Sequence, residues 1–186
     1  MRILAIVSAL AAAFVSGPAA AQGLVEWQEQ VITGVCTLRF ALPEGWKAQT
    51  HVPAPGAVQI RIVPDAGSRA EVLVTGLAPK DDSSLKSTGD IKRSAKAMGE
   101  AMLSGAAERK IELQKVEGTD GSGFFYTLTD KRSDLPDGEF RVTTQGVMAV
   151  GRLRLGVTVL ANEKNSTAVA MTFSLLRTAE CAPPKH

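Results

Sequence analysis

Histidine is almost missing from this chain: His51 and His186 are the only two in 186 residues. Neither has a second ligand at a metal-binding interval, so no transition-metal centre is expected. A Ser/His/Asp triad would have to use His51, because a chain-terminal histidine is seldom held rigidly. There is no Gly-x-Ser-x-Gly elbow; Gly121-Ser122-Gly123 reads as a hairpin turn. Ser83-Ser84-Leu85-Lys86 spells Ser-x-x-Lys, but in a polar loop and without Ser-Asp-Asn or Lys-Thr-Gly elsewhere. The carboxylate pairs Asp81/Asp82 and Asp134/Asp137 fall in loops and lack the burial that raises the pKa of a general acid. No cofactor, metal or catalytic residue is therefore expected, and a hydrolase built on His51 or Ser83 is the least supported reading.

An excess of charge of one sign is also missing. With 21 basic and 19 acidic side chains, the chain has no nucleic-acid footprint and no general attraction to anionic membranes. The one long apolar run, Ile3 to Val15, is shorter than the roughly 20 residues of a membrane span. It follows Arg2 and precedes Ser16-Gly17-Pro18 and Ala19-Ala20-Ala21, the pattern of a secretory signal peptide over residues 1–21. No second run is long enough to cross a bilayer. The expectation is a single soluble domain over 22–186, periodic in secondary structure and located in the periplasm or outside the cell.

Cysteine is scarce too. Cys36 and Cys181 stand near opposite ends of the mature chain, which rules out a Cys-x-x-Cys redox motif. In an oxidising compartment the even count favours one disulfide; two free thiols or a metal pair are the alternatives, and neither has supporting residues. Closing a loop of about 145 residues would be worth roughly 5 kcal/mol at most on the chain-entropy model. The bridge would also make the first core strand and the tail neighbours.

What is present is alternation. Cys36, Leu38, Phe40 and Leu42 point one way, with Thr37 and Arg39 the other. Val58, Ile60 and Ile62 make a second strand, and Glu71 to Leu77 returns as a hairpin. Asp90 is placed to cap a helix that buries Ile91, Ala95, Met98 and Met102. Ile111 and Leu113 start a strand, and Phe124 to Thr129 follows it. Strands at about 139–150 and 152–161 bury Phe140, Val142, Met148, Leu153, Leu155, Val157 and Val159. A last helix to Thr178 buries Val169, Phe173 and Leu176. Strands, one helix, four strands and one helix, joined by short turns, give an α+β domain with a mainly antiparallel sheet.

The wording at both ends carries a resemblance. Phe40-Ala41-Leu42-Pro43-Glu44-Gly45-Trp46 resembles the strand-then-Pro-Gly-Trp opening of the PsbP-like superfamily, which includes DcrB-type bacterial periplasmic proteins. Met171 to Arg177 is similar to the closing helix of that group, with Phe-Ser where Ser-Phe is usual. The resemblance implies an α/β/α sandwich and binding or assembly roles more often than catalysis.

Two candidate surfaces remain. Arg39, Arg61, Arg141, Arg152 and Arg154 fall at or beside outward strand positions, and together they could hold a carboxylate or phosphate. The competing reading pairs each with a glutamate such as Glu71, Glu112 or Glu139. Trp46 is expected to plug the core, whereas Trp27 lies outside the clear strand pattern and is the candidate for contact with a partner, an envelope protein or complex. The function expected is thus an exported, non-enzymatic accessory or binding protein, with a small-anion binder as the alternative. Amino-terminal sequencing of the chain recovered from its host should begin at Gln22; a blocked or uncleaved Met1 would contradict the export signal.

Overall fold

The computed structural model describes residues 25–66, 69–78 and 87–183. The expected signal segment, the Ser83-to-Lys86 stretch with Asp81 and Asp82, and His186 lie outside the described residues. Among those described, no helix is long and apolar enough to cross a membrane.

The strands are β1 (Val25–Ile32), β2 (Cys36–Pro43), β3 (Trp46–His51), β4 (Ala57–Pro64) and β5 (Glu71–Leu77), then β6 (Gln114–Gly118), β7 (Gly121–Thr129), β8 (Val142–Val150), β9 (Leu153–Ala161) and β10 (Glu180–Ala182). Helix α1 (Thr88–Met102) sits between β5 and β6, and α2 (Thr167–Thr178) between β9 and β10. Every pairing is antiparallel. The strands form two sheets, one of three strands in the order β1-β2-β10 and one of seven in the order β3-β4-β5-β9-β8-β7-β6. This is an α+β fold, with two helices packed on a mostly antiparallel sheet.

The alternation that makes each strand also assigns its faces. On the seven-stranded sheet Val58, Ile60, Ile62, Val72, Val74, Phe125, Met148, Leu155, Val157 and Val159 point inward and are buried. That inner face is covered by α2, through Phe173, Leu175 and Leu176, and by β2, through Leu38, Phe40 and Leu42. Phe125 meets Phe173 edge to face, with ring centres 5.4 Å apart. Among the described residues, α1 covers the opposite face over β7 and β8, where Ile91 and Ala95 pack on Phe124 and Val147.

Several expectations are corrected. Ser87, not Asp90, is the cap of α1; its hydroxyl accepts from the Asp90 amide, and the Asp90 carboxylate accepts from the Ser87 amide in return. Met98 and Met102 are exposed, and Gly99 is buried instead. Gly99 leaves room for Ile111, whose Cδ1 lies 2.8 Å from where a Cβ would stand. Ile111 and Leu113 therefore belong to the chain that precedes β6, not to a strand. Phe140 lies before β8, under the Arg69 guanidinium at 4.8 Å, and Val169 is only partly buried. Strands β3 and β10 were not legible from periodicity. The first is exposed at Lys47, Gln49, Thr50 and His51, and the second has three residues.

Cys36 and Cys181 form the disulfide, with Cα atoms 5.5 Å apart. Strand β10 pairs with β2, placing Cys181 opposite Leu38. The Cys181 amide donates to Asp120 Oδ2 at 2.9 Å, and the Gly151 amide donates to the Asp120 carbonyl at 2.8 Å. Gly151 sits at φ +49° where a Cβ would come within 2.8 Å of Cys181 Cβ. The bridge, the β6–β7 turn and the β8–β9 turn are thus one knot. Replacing both cysteines by alanine should lower unfolding free energy by up to about 5 kcal/mol. A denaturation midpoint that is the same with and without reductant would contradict this.

Candidate functional site

The five arginines do not share a site. Arg39 lies on the small sheet, with Nε 2.9 Å from Glu29 and Nη1 donating to Glu180 at 2.8 Å. Arg61 is on the outer face of β4 and grips Glu71 with Nε–Oε1 at 2.7 Å and Nη2–Oε2 at 3.1 Å. That hydrogen bond holds the Glu71 carboxyl below the ordinary carboxylate range, against its partial burial. Arg141 precedes β8 and donates to the carbonyls of Arg132 and Ser133 at 2.6 and 2.9 Å, pinning the loop before that strand. Arg152 is in the two-residue β8–β9 turn rather than on a strand.

Arg154 is on the outer face of β9, and its Nη2 is buried with no hydrogen-bond partner among the described residues. It shares that face with Arg61. Arg61 lies opposite Leu73 and Arg154 opposite Leu77, four residues along β5. The two are therefore offset by about 13 Å along the strands and about 10 Å across them.

Trp27 is different. Strand β1 pairs with β2 so that Glu26, Gln28, Gln30 and Ile32 lie opposite Leu42, Phe40, Leu38 and Cys36. Those β2 residues face the core, so the polar side of β1 turns inward. Val25, Trp27 and Val31 point outward and are 54%, 50% and 61% exposed. The amphipathic pattern of β1 is reversed. The Arg39 guanidinium stacks on the Trp27 ring at 5.4 Å, between the carboxylates of Glu29 and Glu180. This face therefore offers apolar surface around an ion-pair row that is already closed. Trp46, by contrast, packs partly buried against the core. Sequence reading missed Val25 and Val31, although their alternation with Trp27 was visible; what it lacked was the side on which the core lies.

A cavity of about 730 Å³ lies where β6 stops short of the end of β7. Its walls include Glu108, Lys110, Glu112, Gln114, Thr127 and Lys164. Sequence reading gave no sign of it, because it exists only through the path of residues 106–113 beside β7. Four of its charges are paired, Lys110 with Glu112 at 2.9 Å and Lys164 with Glu108 at 2.6 Å, while Arg109 also lines it. Glu108 also accepts from the Thr129 amide at 2.8 Å and hydroxyl at 2.9 Å. Burial alone would raise its pKa, but Lys164 and Thr129 outweigh that and lower it from 4.5 to about 2. A carboxylate so held anchors the 106–113 segment and is a poor proton acceptor.

His51 is exposed at the end of β3 opposite Gln59, not in the loop that follows. Asp134 and Asp137 are exposed in the loop before β8. Among the described residues, no three histidine, cysteine or acidic side chains come together as metal ligands. No protein-family model matches this chain, and no curated protein matches it.

Because the folded pKa of Glu108 is depressed, its contribution is complete above the unfolded value of 4.5 and is lost as pH falls toward about 2. Glu108→Gln should cost about 2 kcal/mol at neutral pH and flatten the stability profile across that acid window. Denaturant titrations at several pH values measure both, and an unaltered acid limb would show that Glu108 is not the titrating anchor.

Proposed function

We propose that this chain is an exported, non-enzymatic accessory or binding protein of the bacterial cell envelope, acting through protein–protein contact on the outward face of β1. The observation that carries the reading is the reversed polarity of that strand, with Val25, Trp27 and Val31 in solvent and Gln28 and Gln30 turned toward the core. Exposed apolar side chains rimmed by charge mark interaction surfaces in soluble proteins, and tryptophan and arginine are enriched among the residues that dominate binding energy.

Three further features support it. The first 21 residues have the pattern of an export signal. The Cys36–Cys181 bridge points to a non-reducing environment. The resemblance to the PsbP-like superfamily implies binding and assembly roles. The alternative, a small anion held by the strand arginines, has less to stand on. Arg39, Arg61 and Arg141 are engaged within the chain, which leaves Arg154 as the unsatisfied guanidinium on the outer sheet face.

The reading is tested by crosslinking the chain in its own envelope and identifying what it captures by mass spectrometry. One stoichiometric envelope protein is expected, and Trp27→Ala should reduce its yield about tenfold or more while leaving thermal stability intact. Capture that is indifferent to Trp27, or no capture at all, would overturn contact through this face.

A further inference from the structure

Strand β1 has a second unused feature, its backbone edge. Ala41 of β2 donates its amide to Thr178 on the β10 side. Because backbone groups alternate sides along a strand, Cys36, Leu38, Phe40 and Leu42 then face β1 and pair with Ile32, Gln30, Gln28 and Glu26. The amides and carbonyls of Val25, Trp27, Glu29 and Val31 are left pointing away from the sheet; of these the Val31 carbonyl accepts from Gln30 Nε2 at 3.0 Å, a local bond that a paired strand would replace. Among the described residues no strand lies beyond them. Natural edges are blunted by lysine, proline, bulges or shortness. The edge β3 carries exposed Lys47, Gln49, Thr50 and His51, and the edge β6 carries exposed Lys115 and Glu117. Strand β1 has eight residues in unbroken register with β2 and contains neither lysine nor proline.

We propose that this edge is the seat of a second copy of the same chain, β1 pairing antiparallel with β1 about a two-fold axis through Gln28. The strand is self-complementary in that register. Val25 faces Val31 of the second copy, Trp27 faces Glu29, and each outward amide and carbonyl meets its counterpart in pairs that exchange two hydrogen bonds. The two tryptophans become diagonal neighbours, within reach of aromatic side chains.

Charge disfavours one neighbouring register. Sliding the axis to Glu29 would set the two Glu29 carboxylates directly opposite, a destabilising pair. With the axis at Gln28 each Glu29 stays on its own Arg39, at 2.9 Å, and no unpaired charge meets its like. Two three-stranded sheets thereby become one continuous sheet. Its outward face carries both sets of Val25, Trp27 and Val31, and it remains open to the envelope partner proposed above. The pairing uses the edge and the partner uses the face, so the two readings are separable.

Proline separates edge from face. The Val31 amide points outward, so Val31→Pro removes no hydrogen bond within the chain but blocks strand addition; Val31→Lys keeps the backbone and places a cation opposite Val25 of the second copy. Sedimentation of the host-processed chain over a range of concentrations should give a dimer for the native sequence. For each variant that keeps its thermal midpoint, the dimer dissociation constant should rise about tenfold or more. A photoreactive residue at position 27 should crosslink to residues 27–31 of the second copy. A native chain that sediments as a monomer throughout, or a dimer that survives either folded variant, would overturn the proposal. A monomer that still captures its envelope partner through Trp27 overturns only the dimer, whereas a dimer that captures nothing overturns only the accessory reading.

Discussion

The structure depends on a covalent and hydrogen-bonded knot at one end of the sheets. The disulfide joins β2 to β10 across 145 residues of sequence, and the residue that carries it donates its amide to Asp120 in the β6–β7 turn. The same aspartate accepts from Gly151 in the β8–β9 turn, while Thr119 donates its amide and hydroxyl to the Arg177 carbonyl near the end of α2. With only three residues in β10, the small sheet is little more than the β1–β2 hairpin, which is marginal in isolation. Here the small sheet gains its permanence by being tied to both hairpins of the large one and by sealing its inner face.

That seal explains where polarity is unusual. The inner faces of both sheets and the buried side of α2 share one apolar cluster that runs from Ile32 through Met148 to Leu176. Strand β1 contributes little to it beyond Ile32, since Gln28 and Gln30 stand where β2 presents Phe40 and Leu38. The apolar residues of β1 are instead set in solvent beside a satisfied ion-pair row. An arrangement of this kind costs hydrophobic stabilisation in the free chain, and that cost is what motivates the proposed contact through this face. The cavity beside β7 has the opposite character, because both of its carboxylates are held by lysines and Glu108 ties the chain to Thr129.

Much of the fold was legible because burial and periodicity coincide. Strands β2, β4, β5 and β9 carry apolar residues at every second position over most of their length, and those positions are the buried ones. Misreadings came where tertiary neighbours override local pattern. Met98 and Met102 occupy helical positions that match Ile91 and Ala95, yet Gly99 is the residue buried there, against Ile111, and both methionines stay exposed. Strand β3 has no apolar face to read, and three-residue β10 forms because the bridge and β2 hold it. Of the candidate sites, Trp27 could be singled out because it fell outside a clear pattern. The spread of the arginines could not be foreseen, because alternation assigns a side of one strand and says nothing of which strands adjoin.

The sequence by itself determined the strand periods, the helices, the export-like start and the supply of one cysteine pair, since each depends on spacing between near neighbours. The tertiary structure alone decided the split into two sheets, the spread of the five arginines over separate places, and the outward turn of Val25, Trp27 and Val31. These depend on register between distant segments: an alternating strand has two equivalent ways to face, and only the position of β2 and its disulfide chooses between them.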